Sequence, residues 1–250
     1  MLSLRQPIPL QALIESMPAL HARTAALPTS AGPPALTSRS KRVMDVSIAL
    51  FLLILTAPLW IVVAVAIKVT SRGPIIFRQE RLGQGGRPFT LYKFRTMATG
   101  ASDEAHRQFI IEMITSRVTS GTPAAPASGS PAIFKLRDDA RITRVGRWLR
   151  RTSIDELPQL VNVLKGEMSL IGPRPPLAYE VEKYEPWQME RLTVRPGISG
   201  LWQVSGRNRL SYIEMCALDV LYIREWRLIT DLQIALLTPL VLFFDRGAGS

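Results

Sequence analysis

Between residues 46 and 67 the chain reads VSIALFLLILTAPLWIVVAVAI, without one charged side chain. No other stretch restricts the fold so strongly, because a run this apolar has to be covered by protein or by lipid. At a rise of about 1.5 Å per residue it just reaches across a bilayer core of roughly 30 Å. Pro58 sits near its middle, where a proline removes a backbone hydrogen bond and crowds the preceding turn. The Thr56 hydroxyl is close enough in sequence to help satisfy the freed carbonyls. Arg39, Lys41 and Arg42 precede the run, and Lys68, Arg72, Arg78 and Arg81 follow it. Basic flanks prefer the cytoplasm, and a straight span leaves one of these two on the wrong side. A helix–break–helix hairpin bent at Pro58 satisfies both. On the residues alone, the single-pass anchor and the re-entrant hairpin both stand.

Composition narrows the partners. The 250-residue chain has a formal net charge of +11, a pI near 10.5 and 47% hydrophobic residues, so it is far too apolar for a disordered basic tail. Strong positive charge on a chain with a real core points to anionic membrane surfaces, phosphate-bearing substrates or nucleic acid. Cys216 is the sole cysteine, which excludes an internal disulfide and a cysteine-based zinc site. The only histidines, His21 and His106, do not supply a histidine metal cluster or a Ser-His-Asp triad. A metal here is then a hard cation held by carboxylates and phosphate oxygens, Mg²⁺ or Mn²⁺.

The remaining segments divide by composition. Residues 1–38, rich in Pro, Ala, Ser and Thr, read as a disordered leader. Two short strands, at 75–77 and 89–94, flank a Gly-rich turn at 83–88 that matches no nucleotide-binding glycine pattern. Lys93 and Arg95 alternate with Tyr92 and Phe94, which puts both cations on one strand face. Residues 102–115 read as a helix, and 116–131 (SRVTSGTPAAPASGSP) as a flexible low-complexity loop. At 139–151 the pattern predicts a basic amphipathic helix. Arg141, Arg144, Arg147, Arg150 and Arg151 fall on one face, and Ile142, Val145, Trp148 and Leu149 on the other. Residues 211–230 read as helical. The apolar 232–244 run, broken by Pro239, is too short to span and fits packing on the domain or lying in the membrane interface.

The chemistry concentrates at 152–175, TSIDELPQLVNVLKGEMSLIGPRP. Ser153 and Glu156 fit a capping box, so Asp155 and Glu156 are placed at a helix start, just after Arg147, Arg150 and Arg151. Helix-terminal amides and guanidinium groups keep a carboxylate ionised, and an ionised aspartate is both a nucleophile towards phosphorus and a ligand for Mg²⁺. Arg174 between Pro173 and Pro175 has a restricted backbone, which suits a phosphate clamp. Arg195 and Arg207 sit in further turns suited to anions, while Trp202 and Gln203 are candidates to stack on or hydrogen-bond a base or sugar.

KRVMD, the Pro58-broken apolar run, YKFRTM, RITRVGRWLRRTSIDELPQLVNVLKGEMSLIGPRP and RPGISGLWQVSGRN, in this order, resemble the bacterial sugar transferases, the monotopic phosphoglycosyl transferases. The resemblance runs from about residue 41 to 245 and leaves out the leader and the 116–131 loop. It implies transfer of a sugar 1-phosphate from a nucleotide diphosphate sugar, UDP-linked in the usual case, to polyprenyl (undecaprenyl) phosphate. Nucleoside monophosphate is released, and the reaction is a first membrane step of exopolysaccharide or other glycan assembly. By match, Asp155 is the nucleophile that forms a phosphosugar–aspartate intermediate. Glu156 assists through metal or proton handling, and the pair holds Mg²⁺. Arg174 and Arg195, with Lys93 and Arg95, become the expected phosphate contacts. The resemblance also selects the hairpin, with both ends and the catalytic domain on the cytoplasmic face of the bacterial inner membrane.

The architecture expected is therefore α+β and mainly helical. A re-entrant hairpin at 39–72 is followed by a catalytic domain at 73–245 with interfacial amphipathic helices, and 246–250 form a tail. Homo-oligomerisation stays open. Two rivals come from other classes: a single-pass anchored scaffold or regulator that only binds anionic lipid, and a membrane-tethered nucleic-acid binder. The first leaves Asp155 and Glu156 without a task beyond capping. The second lacks a recognition motif and has few aromatics among its basic residues, so no nucleic-acid partner is expected.

Overall fold

A computed structural model describes residues 38–98, 141–206 and 210–244. The leader up to residue 37, the expected helix at 102–115, the 116–131 loop and the tail lie outside the described residues. Ser38 caps the first helix by accepting from the Lys41 amide, and α1 then runs over Arg39–Thr70. Where the sequence places two helices and a break, the structure has one helix with Pro58 inside it. A proline deletes a single amide from the ladder. Around Pro58 the Thr56 hydroxyl donates back to Leu52 O at 2.7 Å and accepts from Trp60 Nε1 at 3.2 Å, side-chain bonds that support the turn.

One side of α1 packs inward along its whole length. Ala49, with Ile48, Leu52 and Leu53, enters the main core; Val63 and Ile67, with Leu59 and Trp60, pack against Phe94 and Leu149. On the other side Phe51, Ile54, Leu55, Ile61, Val62 and Val65 are exposed. An apolar face of that extent with no protein cover marks membrane association, and α1 is long and apolar enough to cross a bilayer by length and composition.

The root of α1 carries charge into the fold, away from headgroups. Buried Lys41 donates to Asp231 Oδ2 at 2.5 Å and to Ile171 O at 3.1 Å. Arg42 donates to Val163 O and Leu164 O. Asp45 accepts from the Ser169 hydroxyl at 2.8 Å and the Leu170 amide at 3.1 Å. Removing either partner of a buried pair such as Lys41–Asp231 costs roughly 3–5 kcal/mol, so this end of α1 is firmly held.

Strands β1 (Ile76–Leu82) and β2 (Pro88–Phe94) pair antiparallel, with Ile76 opposite Phe94 and Leu82 opposite Pro88. The glycine turn joining them is a short 3-10 segment in which Gly85 and Gly86 take φ of 70°. β1 runs well past the 75–77 stretch because its polar residues, Arg78 to Arg81, pair with β2 throughout. Past residue 141, Ile142 forms an antiparallel bridge to Met97 rather than the first helical turn, and Thr143 caps α2 (Arg144–Thr152). Gly146 lets α2 press on the end of β2, since a Cβ there would meet Thr96 O at 2.0 Å. Leu149 is buried as the pattern predicts, but Trp148 is exposed.

A short 3-10 turn, Ile154–Glu156, leads into α3 (Gln159–Lys165). Buried Asn162 ties α3 to β2 by donating to Thr90 O at 2.7 Å and accepting from the Tyr92 amide at 3.2 Å. β3 (Ser169–Ile171) pairs parallel with β4 (Gly197–Ser199), and between them lie α4 (Ala178–Val181) and a 3-10 segment, Pro186–Leu192. After β4 come α5 (Leu201–Ser205), the buried α6 (Tyr212–Arg224) and α7 (Leu228–Phe244). Inward, α7 buries Asp231 and Ile234; outward, Ile229, Leu236 and Leu240 are exposed, a second apolar face beside that of α1. The described fold is mainly helical α+β with two small sheets.

Candidate active site

Asp155 and Glu156 occupy the tight turn between α2 and α3. Ser153, just before it, has φ 55° and ψ 18°, and is the one non-glycine residue of positive φ among the described residues. A left-handed residue of this kind costs roughly 1–2 kcal/mol, which the packing of α2 and α3 on either side sustains. The conformation also overturns the capping box. An N-cap needs extended backbone, and Ser153 makes no side-chain cap hydrogen bond to the turn that follows. Glu156 turns instead to β2, where Lys93 Nζ meets its Oε1 at 2.8 Å. Asp155 is buried.

The Pro173-Arg174-Pro175 turn forms a second wall, joined to the first through Arg81. Here backbones approach closely, since a Cβ on Gly172 would meet Arg195 O at 2.7 Å and one on Gly197 would meet Gly172 N at 2.1 Å. The turn is also pinned, with the Gly197 amide donating to Pro173 O at 2.8 Å and Arg81 Nη1 donating to Pro175 O at 2.9 Å. Arg174 Nη1 reaches both carboxylate oxygens of Glu180, at 3.0 and 3.3 Å. Burial alone would pull the Arg174 guanidinium down, but Glu180 more than offsets it and raises it. Burial would likewise push Glu180 up, yet Arg174, Arg81 and Arg191 hold its carboxyl below the usual range.

Arg81 links the two walls. Burial, then the nearby Arg174 charge, lowers its guanidinium to about 10, while Glu180 and, more weakly, Glu156 pull the other way. Arg81 therefore lies within electrostatic reach of both Glu156 and Arg174, and it remains protonated at neutral pH. Sequence reasoning assigned it only to the basic flank of the apolar run. Its position three residues before the glycine turn, opposite Phe89 across the hairpin, gave no signal of that role.

Arg195, half-buried beside the turn, has no side-chain hydrogen bond among the described residues. Arg95 is 5% exposed; its Nη2 donates to the Ser71 hydroxyl and carbonyl at the end of α1, and Nε and Nη1 have no partner among the described residues. Trp202 is buried in a cluster with Trp187, Leu210 and Tyr212, a core position rather than an open stacking platform. Gln203 donates to Ile198 O at 3.3 Å. Arg207 lies outside the described residues.

No group of three His, Cys, Asp or Glu side chains is arranged to hold a metal among the described residues. Asp155 and Glu156 offer two carboxylates at most. That donor set fits Mg²⁺, which keeps several waters and is held by one or two carboxylates together with substrate phosphates.

The chain matches the family model described as bacterial sugar transferase over residues 36–245. It is 42% identical over 210 residues to "Galactosyl transferase CpsE" of Streptococcus agalactiae, covering 84% of this chain and 43% of that protein. Against "Exopolysaccharide production protein ExoY" of Sinorhizobium fredii it is 40% identical over 209 residues, covering 84% of this chain and 88% of the relative. Against "UDP-glucose:undecaprenyl-phosphate glucose-1-phosphate transferase" of Klebsiella pneumoniae it is 38% identical over 216 residues, covering 83% and 41%. The chain thus spans less than half of two of these relatives and most of the third.

Proposed function

Because the chain belongs to the bacterial sugar transferase family, we propose that it transfers a sugar 1-phosphate from a UDP-sugar to undecaprenyl phosphate in the assembly of an exopolysaccharide or related glycan. The observation that carries this reading is the turn holding Asp155 and Glu156, faced by cations mounted on buried structure. The Asp155 carboxylate attacks the sugar-bearing phosphorus. The bond from that phosphorus to the bridging oxygen breaks, and UMP leaves with the electron pair. An oxygen of the lipid phosphate then attacks the phosphosugar–aspartate, forming the lipid diphosphate sugar and regenerating the carboxylate. Lys93 and Arg81 keep Glu156 in place, while Arg174 and Arg195 bind the non-reacting phosphate oxygens. Asp155 and Glu156 would hold Mg²⁺, which would supply charge neutralisation for the leaving phosphate.

Both ends of α1 attach to the same folded unit, the first through Lys41 and Asp45 and the second through Ser71 and Arg95. That supports an arrangement in which the unbroken helix lies against the domain, with both ends and the site on the cytoplasmic face and the outward apolar stripe in lipid. A site at headgroup level meets a soluble sugar donor and a lipid phosphate at once.

Purified protein with Mg²⁺, UDP-sugars and undecaprenyl phosphate is expected to release UMP with at least one donor; silence across a panel of common UDP-sugars contradicts the reaction. Topology is read by maleimide labelling of Ser38→Cys and Arg87→Cys. Burial pushes the Cys216 thiol up to about 11, so the native cysteine stays quiet. Labelling of both from the cytoplasmic side is expected, and opposite sides would mean a spanning helix.

A further inference from the structure

The most heavily buried ionic cluster in the described chain lies behind Arg174, and nothing in the reaction above uses it. Glu180 is wholly buried. A carboxylate in that position is expensive to desolvate, and an apolar residue of similar volume often serves stability as well or better. Its partners show where its interaction is directed. Arg191, also fully buried, takes Asp219 at 2.9 Å, Tyr184 and Cys216, and does not bond Glu180. Glu180 is bonded by Arg174 and by the Tyr212 hydroxyl at 3.2 Å.

The backbone of Arg174 is held just as completely. Its amide donates to Asp219 Oδ2 at 3.3 Å, and its carbonyl accepts from Arg191 Nη2 at 3.1 Å. The flanking prolines remove the neighbouring amides and fix their φ angles. What remains is the Nε and Nη2 edge of the guanidinium, which bonds nothing among the described residues, on a side chain that is 21% exposed. The long side chain would otherwise wave through many rotamers, and ordering it on binding would weaken affinity.

We infer that Glu180 is a positioning residue of the substrate site, gripping Arg174 through Nη1 so that its Nε–Nη2 edge is presented to a phosphate oxygen of the nucleotide diphosphate. The two belong to one local unit, since Glu180 on α4 reaches back six residues to the turn. The fork geometry of arginine suits this double duty, one edge on a carboxylate and the other on phosphate.

The role rests on the proposed nucleotide-sugar reaction, so it is tested by a readout that needs no turnover: binding of UDP, with Mg²⁺, to the full chain in nanodiscs. Glu180→Gln is expected to weaken UDP binding about tenfold, whereas in an Arg174→Ala background the same change has less than about a twofold effect, a non-additivity typical of contacting residues. Glu180→Asp keeps the charge but shortens the reach, so it is expected to fold with a near-native melting temperature and still weaken UDP binding several-fold. An equal loss from Glu180→Gln in both backgrounds overturns the inference, as does wild-type affinity in Glu180→Asp or no UDP binding by the wild-type chain. Should Glu180→Gln fail to fold, the Glu180→Asp result decides. Coupled UDP binding without UMP release would instead sink the reaction and leave the positioning intact.

Discussion

Glu156 meets Lys93 at 2.8 Å with side chains 33% and 28% exposed, whereas Arg174 meets Glu180 at 3.0 Å with the carboxylate fully buried. The same kind of ion pair thus appears twice, on two walls linked through Arg81, in different settings. An exposed pair contributes about 0–1 kcal/mol and exchanges partners easily; breaking a buried one costs roughly 3–5 kcal/mol. The first wall can hand the Glu156 carboxylate to a metal or a phosphate without disturbing the fold. The second cannot adjust, and that is useful for binding a group that does not react. The proposed reaction thus puts chemistry on the adjustable wall and recognition on the rigid one.

Exchanging residues on each wall tests this division. Asp155→Asn removes the proposed nucleophile and is expected to lower turnover more than about 1,000-fold, some 4 kcal/mol, at saturating substrate. Retained turnover would remove the chemical role of the first wall. Arg174→Ala is expected to lower kcat/KM about 30- to 100-fold, chiefly through KM, and to lower the melting temperature because Glu180 is left buried without its main partner. An effect on kcat alone would move Arg174 to the reacting group. Lys93→Ala is expected to lower kcat about tenfold while the melting temperature stays within roughly 1 °C, as befits a half-exposed pair. A large loss of stability would show that the walls are not built differently.

The smallest effect is a pH slope. Burial, only partly offset by Arg191, raises the Asp219 carboxyl from 3.8 to about 6. A carboxyl raised in the folded state contributes stability that is fully present below pH 3.8 and lost as pH rises through 6. Between pH 4 and 6, the melting temperature of the wild type should therefore fall more with rising pH than that of Asp219→Asn. Equal slopes would mean that Asp219 titrates normally and the rigid wall is wetter than its packing shows.

The first wall was legible in the sequence and the second only in part. Asp155, Glu156, Lys93 and the hairpin turn are encoded by local spacing, by glycines and by alternation along a strand. The Pro-Arg-Pro turn was visible too, but its supports were not. Arg191, Asp219 and Glu180 carry no local signal of burial, since charged residues are seldom fully buried, and Arg191 meets Asp219 only across 28 residues of chain. Lys41 was similarly misleading. It counted as a basic flank for membrane topology, yet its partner Asp231 lies 190 residues away inside the fold. The unbroken α1 has the same origin, because Pro58 speaks for a local break while inward packing on both sides of it holds the helix together.

In the proposed reaction Asp155 carries the phosphosugar. Intact-mass measurement of the protein after mixing with Mg²⁺ and the active UDP-sugar, in the absence of undecaprenyl phosphate, tests it most directly. The wild type should gain the mass of one sugar phosphate, mapped to the peptide holding Asp155 and discharged when lipid phosphate is added. An adduct of the same mass on Asp155→Asn protein would contradict the account.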